Sequence, residues 1–477
     1  MLKGKKSIVL MFAVAASVLC HAQLLTKGDG FSIDSHVVST SFFHWYTADD
    51  GQKVGPWLPL EGRENWTGSV EWWKGQVKQT MLANIDLLYV HLICEMEEQR
   101  VNLFRSLAEL RAEGYDVPKI APFLDPMIIW QGTVVDLSTA PGRQELLSHY
   151  VRFYEQYFSA NGDEFAESYV AKIDGRPILV TWHLGMNTSH LDTFKREDIE
   201  SELARHFSDR YPAFTHGIYM VTTGVSQNTF RFADEKAFLF ELHAYHAQKE
   251  HNGIVTAMVK PGYWDQNVRT PGFCLPRNGG ANYRNAWNEV ASNEYVDRVY
   301  IESFNEYDEG SGIYAGKPNG FYIHPGTDNT SSDEWSACND PLEYLRITAE
   351  GARRFNDTPD YASRILTHNI PSTLRPGLEY DAIIVVRNEG DVLWSRDADV
   401  KFYQKGMLAD SDSKIKLWPT EASKEDLEFG GVYRGCPVSI KIKIVAPREP
   451  GLYDMEMGMS NGGLFFGEPL KVKVKVE

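Results

Sequence analysis

Between residues 36 and 355 the chain alternates short strand-like runs with longer helix-like runs, and this alternation constrains its fold more than any other feature. The strand-like runs are 36–46, 85–93, 118–126, 176–184, 216–224, 237–245, 253–265 and 298–306. Apolar residues at three- and four-residue steps predict amphipathic helices between most of these runs. The predicted helices include 69–83, 98–114 and 143–160, with a weakly marked one at 229–236. This pattern is typical of an α/β protein whose parallel sheet closes into a (β/α)8 barrel.

The alternative for such a pattern is an open, doubly wound parallel sheet. That fold usually carries a glycine-rich phosphate loop directly after its first strand. The corresponding segment here, FFHWYTADDG at residues 42–51, has no such loop. The closed barrel is therefore the favoured prediction for residues 23–363.

From about residue 364 the helical periodicity disappears and short runs of alternating polar and apolar residues take its place. These runs are 380–390, 399–406, 438–447, 451–460 and 468–477. Proline and glycine separate them at regular intervals, which is typical of an antiparallel β-sandwich. The sequence therefore predicts a second domain, a small all-β sandwich at 364–477.

This second domain resembles the Ig-like domain of NBR-type autophagy receptors, which is also attached to many bacterial enzymes. The resemblance lies in Arg387, Asn388, Gly390 and Trp394, and in the closing pattern AP…PG-x-Y at 446–453. It implies the fold of the domain but little about its function. We expect a spacer or stabilising role rather than a sugar-binding one.

The first 22 residues have the features of a secretory signal peptide. Three lysines within the first six residues precede an apolar run at 8–19, which is followed by a small residue, Ala22. Cys20 would be the acylated residue of a lipoprotein, but Leu19 stands where that signal requires a small side chain. The sequence thus predicts cleavage after Ala22 and a secreted or periplasmic protein.

The overall charge limits the classes of partner. The formal net charge is −17, and no basic cluster interrupts the acidity, which argues against nucleic acid and anionic membranes. No apolar run beyond the predicted signal reaches the ~18 residues of a membrane-spanning helix. The 12 tryptophans and 23 tyrosines include enough side chains to stack on sugar rings. The sequence does not predict an oligomeric state.

Cysteine and histidine spacing gives no sign of a cofactor. Cys274 and Cys338 lie in loops and could form a disulfide bond, a question that the sequence leaves open. Neither a Cys-x-x-Cys motif nor a metal-type histidine spacing occurs in the chain. We therefore expect no metal and no cofactor.

Polar and aromatic side chains collect where the predicted barrel strands end. In a (β/α)8 barrel all these strand ends meet at one rim, which is where barrel enzymes place their sites. The predicted substrate-binding residues are His44, Trp45, Tyr46, His91, Asp125, Trp182, His183, Glu241, His243, Tyr263, Trp264, Glu302 and Asn305. A polar loop after each strand would explain any single case. The enrichment in His, Trp, Asp and Glu favours a site.

The last strand-like run leads into two glutamates, Glu306 and Glu309, in a turn closed by Gly310. Residues three apart in such a turn can bring their carboxylates close together. Two close carboxylates do not both ionise readily, so one pKa rises and the pair can serve as an acid and a base. Cleavage of a glycosidic bond requires that combination.

The segment SFNEYDEG at 303–310 resembles SFNEWHEG, a motif at the last barrel strand of glycoside hydrolase family 99. Members of that family are endo-acting α-mannan hydrolases on a (β/α)8 barrel. The resemblance implies that Glu306 acts as base on the 2-hydroxyl of the sugar and that Glu309 is the general acid and then the base. Tyr307 and Asp308 depart from the motif, so the resemblance implies the reaction class rather than a mannan substrate.

The function predicted from the sequence is a glycoside hydrolase that acts on a polysaccharide or glycan with Glu306 and Glu309 as catalytic residues. One alternative is a catalytically inactive barrel that binds glycan in a polysaccharide-utilisation system. Another is a metal-dependent hydrolase that uses the strand-end histidines, which come from four different strands. The sugar, its linkage, endo or exo action, and the stereochemical outcome stay open.

Overall fold

A computed structural model describes most of the chain outside its N-terminus. The described residues are 30–46, 57–93, 96–162, 165–223, 229–237, 244–265, 268–269, 272–318, 340–395, 398, 400–405 and 428–477. The predicted signal peptide, Cys338, Glu241 and His243 lie outside them.

In the described residues, the first part of the chain combines strands with seven α-helices. Its strands are β1 (Val37–Phe42), β2 (Trp57–Pro59), β3 (Leu87–His91), β4 (Lys119–Leu124), β5 (Val135–Asp136), β6 (Lys172–Ile173), β7 (Arg176–Trp182), β8 (Thr188–Ser189), β9 (Tyr219–Thr223), β10 (Glu235–Ala237), β11 (His246–His251), β12 (Ile254–Val259), β13 (Tyr263–Trp264), β14 (Cys274–Leu275), β15 (Arg298–Ile301) and β16 (Gly316–Pro318). The α-helices in the described residues are α1 (Val70–Leu82), α2 (Glu97–Ala112), α3 (Pro126–Trp130), α4 (Ala140–Asn161), α5 (Arg196–Phe207), α6 (Ala281–Ala291) and α7 (Glu343–Phe355).

Eight parallel strands form a barrel-like sheet in the order β10, β9, β7, β4, β3, β1, β15, β12. Strand β15 pairs with β1 on one side and with β12 on the other, so the last strand joins the first. Seven of the eight predicted strands overlap extensively with these strands. The sheet is nearly closed, since its two end strands, β10 and β12, contact each other. It is not fully closed, because these two strands share no backbone ladder in the described residues.

A buried glutamate bridges the two end strands. Glu235, in β10, accepts a hydrogen bond from the hydroxyl of Thr256 in β12 at 2.7 Å. Its other oxygen accepts one from Tyr219 at 3.2 Å and lies 3.8 Å from Arg298. Burial raises the pKa of Glu235, against the opposing charge of Arg298. The barrel is therefore completed in its interior by side chains where the ladder stops.

The sixth repeat of the barrel differs from the prediction. The sixth strand lies at Glu235–Ala237, earlier than the predicted 237–245. The helix predicted at 229–236 does not occur, because residues 229–237 contain no helix. Strand β11 then pairs antiparallel with β12 as a hairpin, where a strict (β/α)8 pattern would have a helix. Asn252 and Gly253 form the turn of this hairpin, and both have positive φ angles, as in the tight turns preferred by hairpins.

The helices predicted from periodicity occur with small changes in their ends. The predicted helices 69–83, 98–114 and 143–160 correspond to α1, α2 and α4. Ser69 caps α1 by accepting a hydrogen bond from the Trp72 amide, as Ser commonly does at this position. No helix in the described part of the chain is long and apolar enough to cross a membrane.

The C-terminal part is a β-sandwich with its own apolar core. Its strands are β17 (Ser363–His368), β18 (Thr373–Leu374), β19 (Glu379–Asn388), β20 (Trp394–Ser395), β21 (Val400–Lys405), β22 (Gly431–Val432), β23 (Pro437–Val445), β24 (Gly451–Asn461), β25 (Leu464–Phe465) and β26 (Leu470–Val476). One sheet has the order β17, β19, β23, and the other β18, β26, β24, β21. Along β23 every second residue, such as Ile440 and Ile442, is buried, so the alternation in the sequence is the alternation of the sandwich.

A buried arginine joins the sandwich to the barrel. Arg434, from the sandwich, contacts Asp86 at the start of β3 at 2.6 Å and Asp391 at 3.0 Å. It also donates to the backbone oxygen of Asn84 at 3.0 Å. The Asp391 side chain is fully buried and that of Asp86 is mostly buried, so Arg434 compensates carboxylates that are largely removed from water.

Replacing Arg434 by methionine should therefore destabilise the protein strongly. Loss of one partner of a buried ion pair typically costs about 3–5 kcal/mol, because the remaining charge stays buried without compensation. Denaturant unfolding measures this change. The matched control is Arg448→Met at an exposed position of the sandwich, for which a change within about 0.5 kcal/mol is expected. Equal stabilities of the two variants would contradict the assignment.

Candidate active site

The segment that follows β15, residues 302–312, is here named the carboxylate loop. It is closed on itself, because Ser303 donates its amide to the Ser311 oxygen at 3.1 Å and Ile313 donates to the Phe304 oxygen at 3.0 Å. Phe304 donates in turn to Ser41, just before the end of β1, at 3.1 Å. The loop is thus anchored at the carboxyl end of the sheet, where barrel sites are built.

A buried arginine and a glycine fix the far side of this loop. The guanidinium of Arg277 donates to the oxygens of Gly310 at 3.0 Å and Gly312 at 2.7 Å, and it lies 4.4 Å from the ring centroid of Trp57. Gly310 has φ +53, and an added Cβ would lie 3.0 Å from Trp57 and 3.2 Å from Trp264. Only glycine fits this close approach without strain.

Two hydrogen bonds hold Glu306 in the carboxylate loop. Its amide donates to Ser303 Oγ at 2.8 Å, and its Oε1 accepts a short hydrogen bond from the Tyr46 hydroxyl. Burial raises the pKa of Glu306 well above its ordinary value, and the charges of Glu309 and Asp308 raise it further against the hydrogen bond from Tyr46. The raised pKa therefore favours the protonated form of Glu306.

Glu309 has a different environment. Its Oε1 lies 2.7 Å from Nη2 of Arg269, whose Nη1 lies 2.7 Å from Asp265. The backbone oxygen of Glu309 accepts a hydrogen bond from the Trp264 amide at 2.7 Å, which fixes the residue from behind. Glu309 thus carries an ion pair, whereas Glu306 is hydrogen-bonded to a neutral phenol.

A third carboxylate, Glu302, forms part of the floor. Its Oε2 lies 3.6 Å from Nζ of Lys260, and the Lys260 side chain is fully buried. Burial raises the pKa of Glu302 to about 7, with Lys260 opposing the rise and Glu309 adding to it. Near neutral pH, Glu302 is therefore close to its titration midpoint.

A cleft of about 540 Å³ opens in front of these groups. Its lining residues are Ser41, Phe43, Trp45, Ile93, Met96, Phe123, Asp125, Met127, Ile128, Trp182, His183, Met186, Val268, Arg269, Tyr300, Glu302, Ser303, Glu306, Asp308, Glu309 and Ser311. The volume is within the range of small-molecule sites, ~300–1,000 Å³. Four of its carboxyl groups come from the carboxylate loop, and aromatic and aliphatic side chains of other segments line much of the remainder.

Seven of the predicted site residues line this cleft. They are Trp45, Asp125, Trp182, His183, Glu302, Glu306 and Glu309. Asp125 also caps the short helix α3, because its Oδ1 accepts the Met127 amide at 3.0 Å. His183 is mostly buried, and burial lowers its pKa, with Asp125 opposing this effect. The ends of β1, β4, β7 and β15 therefore meet at one site, as the barrel predicts.

The predicted histidines of the first two strands do not reach the cleft. His44 and His91 are both fully buried, and burial lowers the pKa of each. Nδ1 of His91 accepts the Ile93 amide at 3.0 Å, and its Nε2 lies 3.7 Å from Asp125. His91 thus lies behind Asp125 as a supporting residue.

Four further predicted binding residues are fully buried around the loop. Asn305 exchanges two hydrogen bonds with the Phe43 backbone, at 2.8 and 2.7 Å, and so ties the loop to the end of β1. Tyr46 donates to Glu306, Tyr263 donates to Asp265 at 3.2 Å, and Trp264 supports Glu309. These side chains shape the site from behind. Glu241 and His243 lie outside the described residues, so the structure does not place them.

Several residues of the site carried no clear signal in the sequence. Arg269 and Lys260 provide its positive charges, and Asp308 adds a carboxylate to the wall. Arg269 stands four residues after Asp265, a spacing that suits an ion pair on one helical turn. Lys260 directly follows β12 and gave no comparable pattern. Within the described residues no group of three His, Cys, Asp or Glu side chains is placed to hold a metal ion.

Comparison with known families identifies the C-terminal part. Residues 369–476 match the family model described as the Ig-like domain from next to BRCA1 gene. The match covers the sandwich strands from β18 to β26, and it confirms the Ig-like fold predicted for this part of the chain. No curated protein matches the chain.

Among solved structures, the chain is similar to a family 99 endo-alpha-mannosidase from Bacteroides thetaiotaomicron. The identity is 13%, the match covers 66% of this chain and 98% of that one, and the TM-score is 0.45. For a structure of that enzyme with bis-tris-propane, the identity is 15%, the match covers 68% of this chain and 98% of that one, and the TM-score is 0.43. For a beta-glucuronidase from glycoside hydrolase family 2, the identity is 9%, the match covers 94% of this chain and 49% of that one, and the TM-score is 0.31. Similarities at this level do not assign the chain to a family.

The raised pKa of Glu302 predicts a specific pH dependence of stability. A carboxyl whose pKa is raised by folding stabilises the protein fully at pH values below its pKa in the unfolded chain. This stabilisation is lost as the pH rises through its pKa in the folded protein, which is about 7 for Glu302. The variant Glu302→Gln has no carboxyl at this position and therefore does not lose stability in this way. Relative to wild type, the unfolding free energy of the variant should increase by roughly 3 kcal/mol between about pH 5 and 8.

Denaturant unfolding at several pH values measures this difference. The control is Glu294→Gln, which changes an exposed carboxyl in the turn before β15 and should give a flat difference. A flat difference for Glu302→Gln as well would show that this carboxyl does not titrate as described.

Proposed function

We propose that this protein is a glycoside hydrolase and that Glu306 and Glu309 perform its acid–base chemistry. The observation that carries the proposal is the pair itself. Two carboxyl groups with contrasting environments, one hydrogen-bonded to a phenol and one ion-paired with Arg269, line a cleft at the carboxyl end of a parallel barrel-like sheet. Glycosidic cleavage needs one protonated and one ionised carboxyl.

The two environments favour a division of labour. Glu306 has the raised pKa and is suited to protonate the leaving oxygen. Glu309, paired with Arg269, is suited to act in its charged form, as base or nucleophile. The resemblance to family 99 implies the opposite order, with Glu306 as base. The proposed order follows from the contacts in this chain.

Other residues of the cleft suit the binding of a sugar ring. Trp45 and Trp182 present aromatic side chains to the cleft, and the apolar face of a pyranose packs well on such rings. Asp125 and His183 also line the cleft and can hydrogen-bond with hydroxyl groups. This combination of stacking and directed polar groups is typical of a carbohydrate site.

The charge of the cleft favours an uncharged glycan. Five carboxyl groups line it, Asp125, Glu302, Glu306, Asp308 and Glu309, against one guanidinium, Arg269. Even with Glu306 protonated and Glu302 paired with Lys260, three acidic groups oppose Arg269. Arg269 is already paired with Glu309 and Asp265. A uronate or sulfate group would meet net negative potential in a partly desolvated space.

Export also remains a proposal. The predicted signal lies in residues 1–22, outside the described residues, and a secreted or periplasmic location would give the enzyme access to an extracellular glycan. The Ig-like domain would then act as a stabilising module, since Arg434 joins it to the barrel.

Glu306→Gln and Glu309→Gln should each lower kcat/KM on natural glycans by about 10²–10⁴-fold with unchanged folding, because each removes one proton-transfer group. New reducing ends from a panel of α- and β-linked polysaccharides measure the activity. Activated substrates separate the roles. A dinitrophenyl glycoside needs no protonation of its leaving group, so Glu306→Gln should retain much of its activity on it and Glu309→Gln should not.

The control is Glu294→Gln, which should keep full activity. Retention of activity by Glu309→Gln instead would restore the order implied by the family resemblance. If both variants keep near-normal turnover on natural glycans, the catalytic assignment fails. Binding of polysaccharides by wild type without products would favour the inactive glycan-binding barrel.

The negative cleft predicts selection by substrate charge. Neutral hexose oligosaccharides should bind at least about ten-fold more tightly than oligouronates of equal length at low ionic strength, and added salt should narrow this gap because it screens the repulsion. Calorimetric titration of Glu306→Gln protein measures both affinities without turnover. Tighter binding of the uronates would contradict this picture of the cleft.

A further inference from the structure

Four exposed apolar side chains line the cleft, and they are here named the apolar rim. It consists of Met127, Ile128, Met186 and Val268. Their exposed fractions range from 40% for Ile128 to 56% for Met186, although all four line the same cavity. Single exposed apolar residues are ordinary, but several together at the edge of a concave site indicate a binding surface.

The backbone holds part of this rim firmly. Met127 and Ile128 lie in the short helix α3, whose first turn is capped by Asp125 and begins with Pro126. Met186 ends a 3-10 turn after β7, where its amide donates to the His183 oxygen at 2.9 Å. Helix α3 contacts this 3-10 turn. The backbone positions of Met127, Ile128 and Met186 are therefore fixed relative to Asp125 and His183 in the cleft.

The chemistry of the rim differs from that of the rest of the cleft. Thioether and aliphatic side chains offer no strong hydrogen-bond partner, so sugar hydroxyls placed against them would lose water without replacement. Each methylene buried there would instead strengthen binding about four-fold. The polar groups, Asp125, His183 and the carboxylate loop, can hold a hydroxylated ring.

We propose that the apolar rim binds the aglycone of the substrate and that this aglycone is an alkyl or aryl group. The sugar ring then lies against the carboxylate loop and Asp125, with the scissile oxygen between the ring and the rim. This inference rests on the proposed glycosidase function, because the rim is continuous with the cleft that contains Glu306 and Glu309.

The test compares methyl and n-hexyl glycosides of the same sugar, which share the alcohol class of the leaving group and differ by five methylenes. Common hexopyranosides of both anomers are titrated by calorimetry into Glu306→Gln protein, so that binding is read without hydrolysis. For the sugar that binds, the hexyl glycoside should bind at least about ten-fold more tightly, since only part of the chain needs to be buried to give this gain.

The variant Met127→Ser/Met186→Ser, in the same Glu306→Gln protein, should lose most of the gain from the hexyl chain and bind the methyl glycoside as before. Both side chains are partly exposed, so the variant should fold, and thermal unfolding checks this. The matched control is Leu464→Ser, which changes an exposed apolar residue of the sandwich and should leave both affinities unchanged.

Equal affinity for methyl and hexyl glycosides would overturn the proposal. So would a loss of oligosaccharide binding in the rim variant without a loss for hexyl glycosides, because the rim would then bind sugar. A dimer of wild type that the rim variant loses would mean that a second copy covers the rim, and this too would overturn it. If hexyl glycosides bind through the rim but wild type never hydrolyses them or any glycan, the hydrolase function fails while the apolar subsite stands.

Discussion

The ladder between the last and the first strand of the barrel is the interaction on which the site depends. Strand β15 pairs with β1 so that Ile301 lies opposite Thr40, and the hydroxyl of Thr40 donates to the Ile301 oxygen at 3.0 Å. Beyond the ladder, the Asn305 amide continues the link to Phe43. Without this pairing, the loop that carries Glu306 and Glu309 would have no fixed position relative to Tyr46, and the sheet would be open.

Burial then determines how the carboxylates behave. For both Glu302 and Glu306, burial is the largest cause of the raised pKa, larger than the effect of any single charge. Lys260 and Arg269 limit this cost where they contact Glu302 and Glu309, whereas the side-chain hydrogen-bond donor to Glu306 is a neutral hydroxyl. The asymmetry of the site is thus a consequence of which carboxylates obtain a cation.

The sequence predicted the fold well where periodicity is local. Strands, helices and the sandwich follow from alternation patterns, each contained in a short segment. The sixth strand was placed too late, because the run that begins at Ala237 is more apolar than Glu235–Ala237, the strand whose glutamate closes the barrel from inside. From the sequence, a buried polar residue of this kind is predicted to lie on the surface, because its partners come from distant strands.

The same limit applies to the site. The barrel pattern predicted that the strand ends form a site. It did not predict which side chain at each strand end faces the cleft. In His44-Trp45-Tyr46 the middle residue lines the cleft and its neighbours are buried, which is the alternation of an extended chain. Arg269 and Lys260 were missed because their partners lie 40 and 42 residues further along the chain, and no local pattern marks such pairs.

The departure from the family 99 motif at position 308 bears on the roles of the two glutamates. That motif has a histidine where this chain has Asp308, which is a neutral or positive side chain replaced by a negative one. The negative charge of Asp308 is one of the causes that raise the pKa of Glu306. Such a neighbour lowers the fraction of Glu306 that is ionised and ready to act as a base, whereas it supports a residue that must keep its proton until the leaving oxygen takes it. The substitution and the division of labour proposed for Glu306 and Glu309 are therefore consistent with each other.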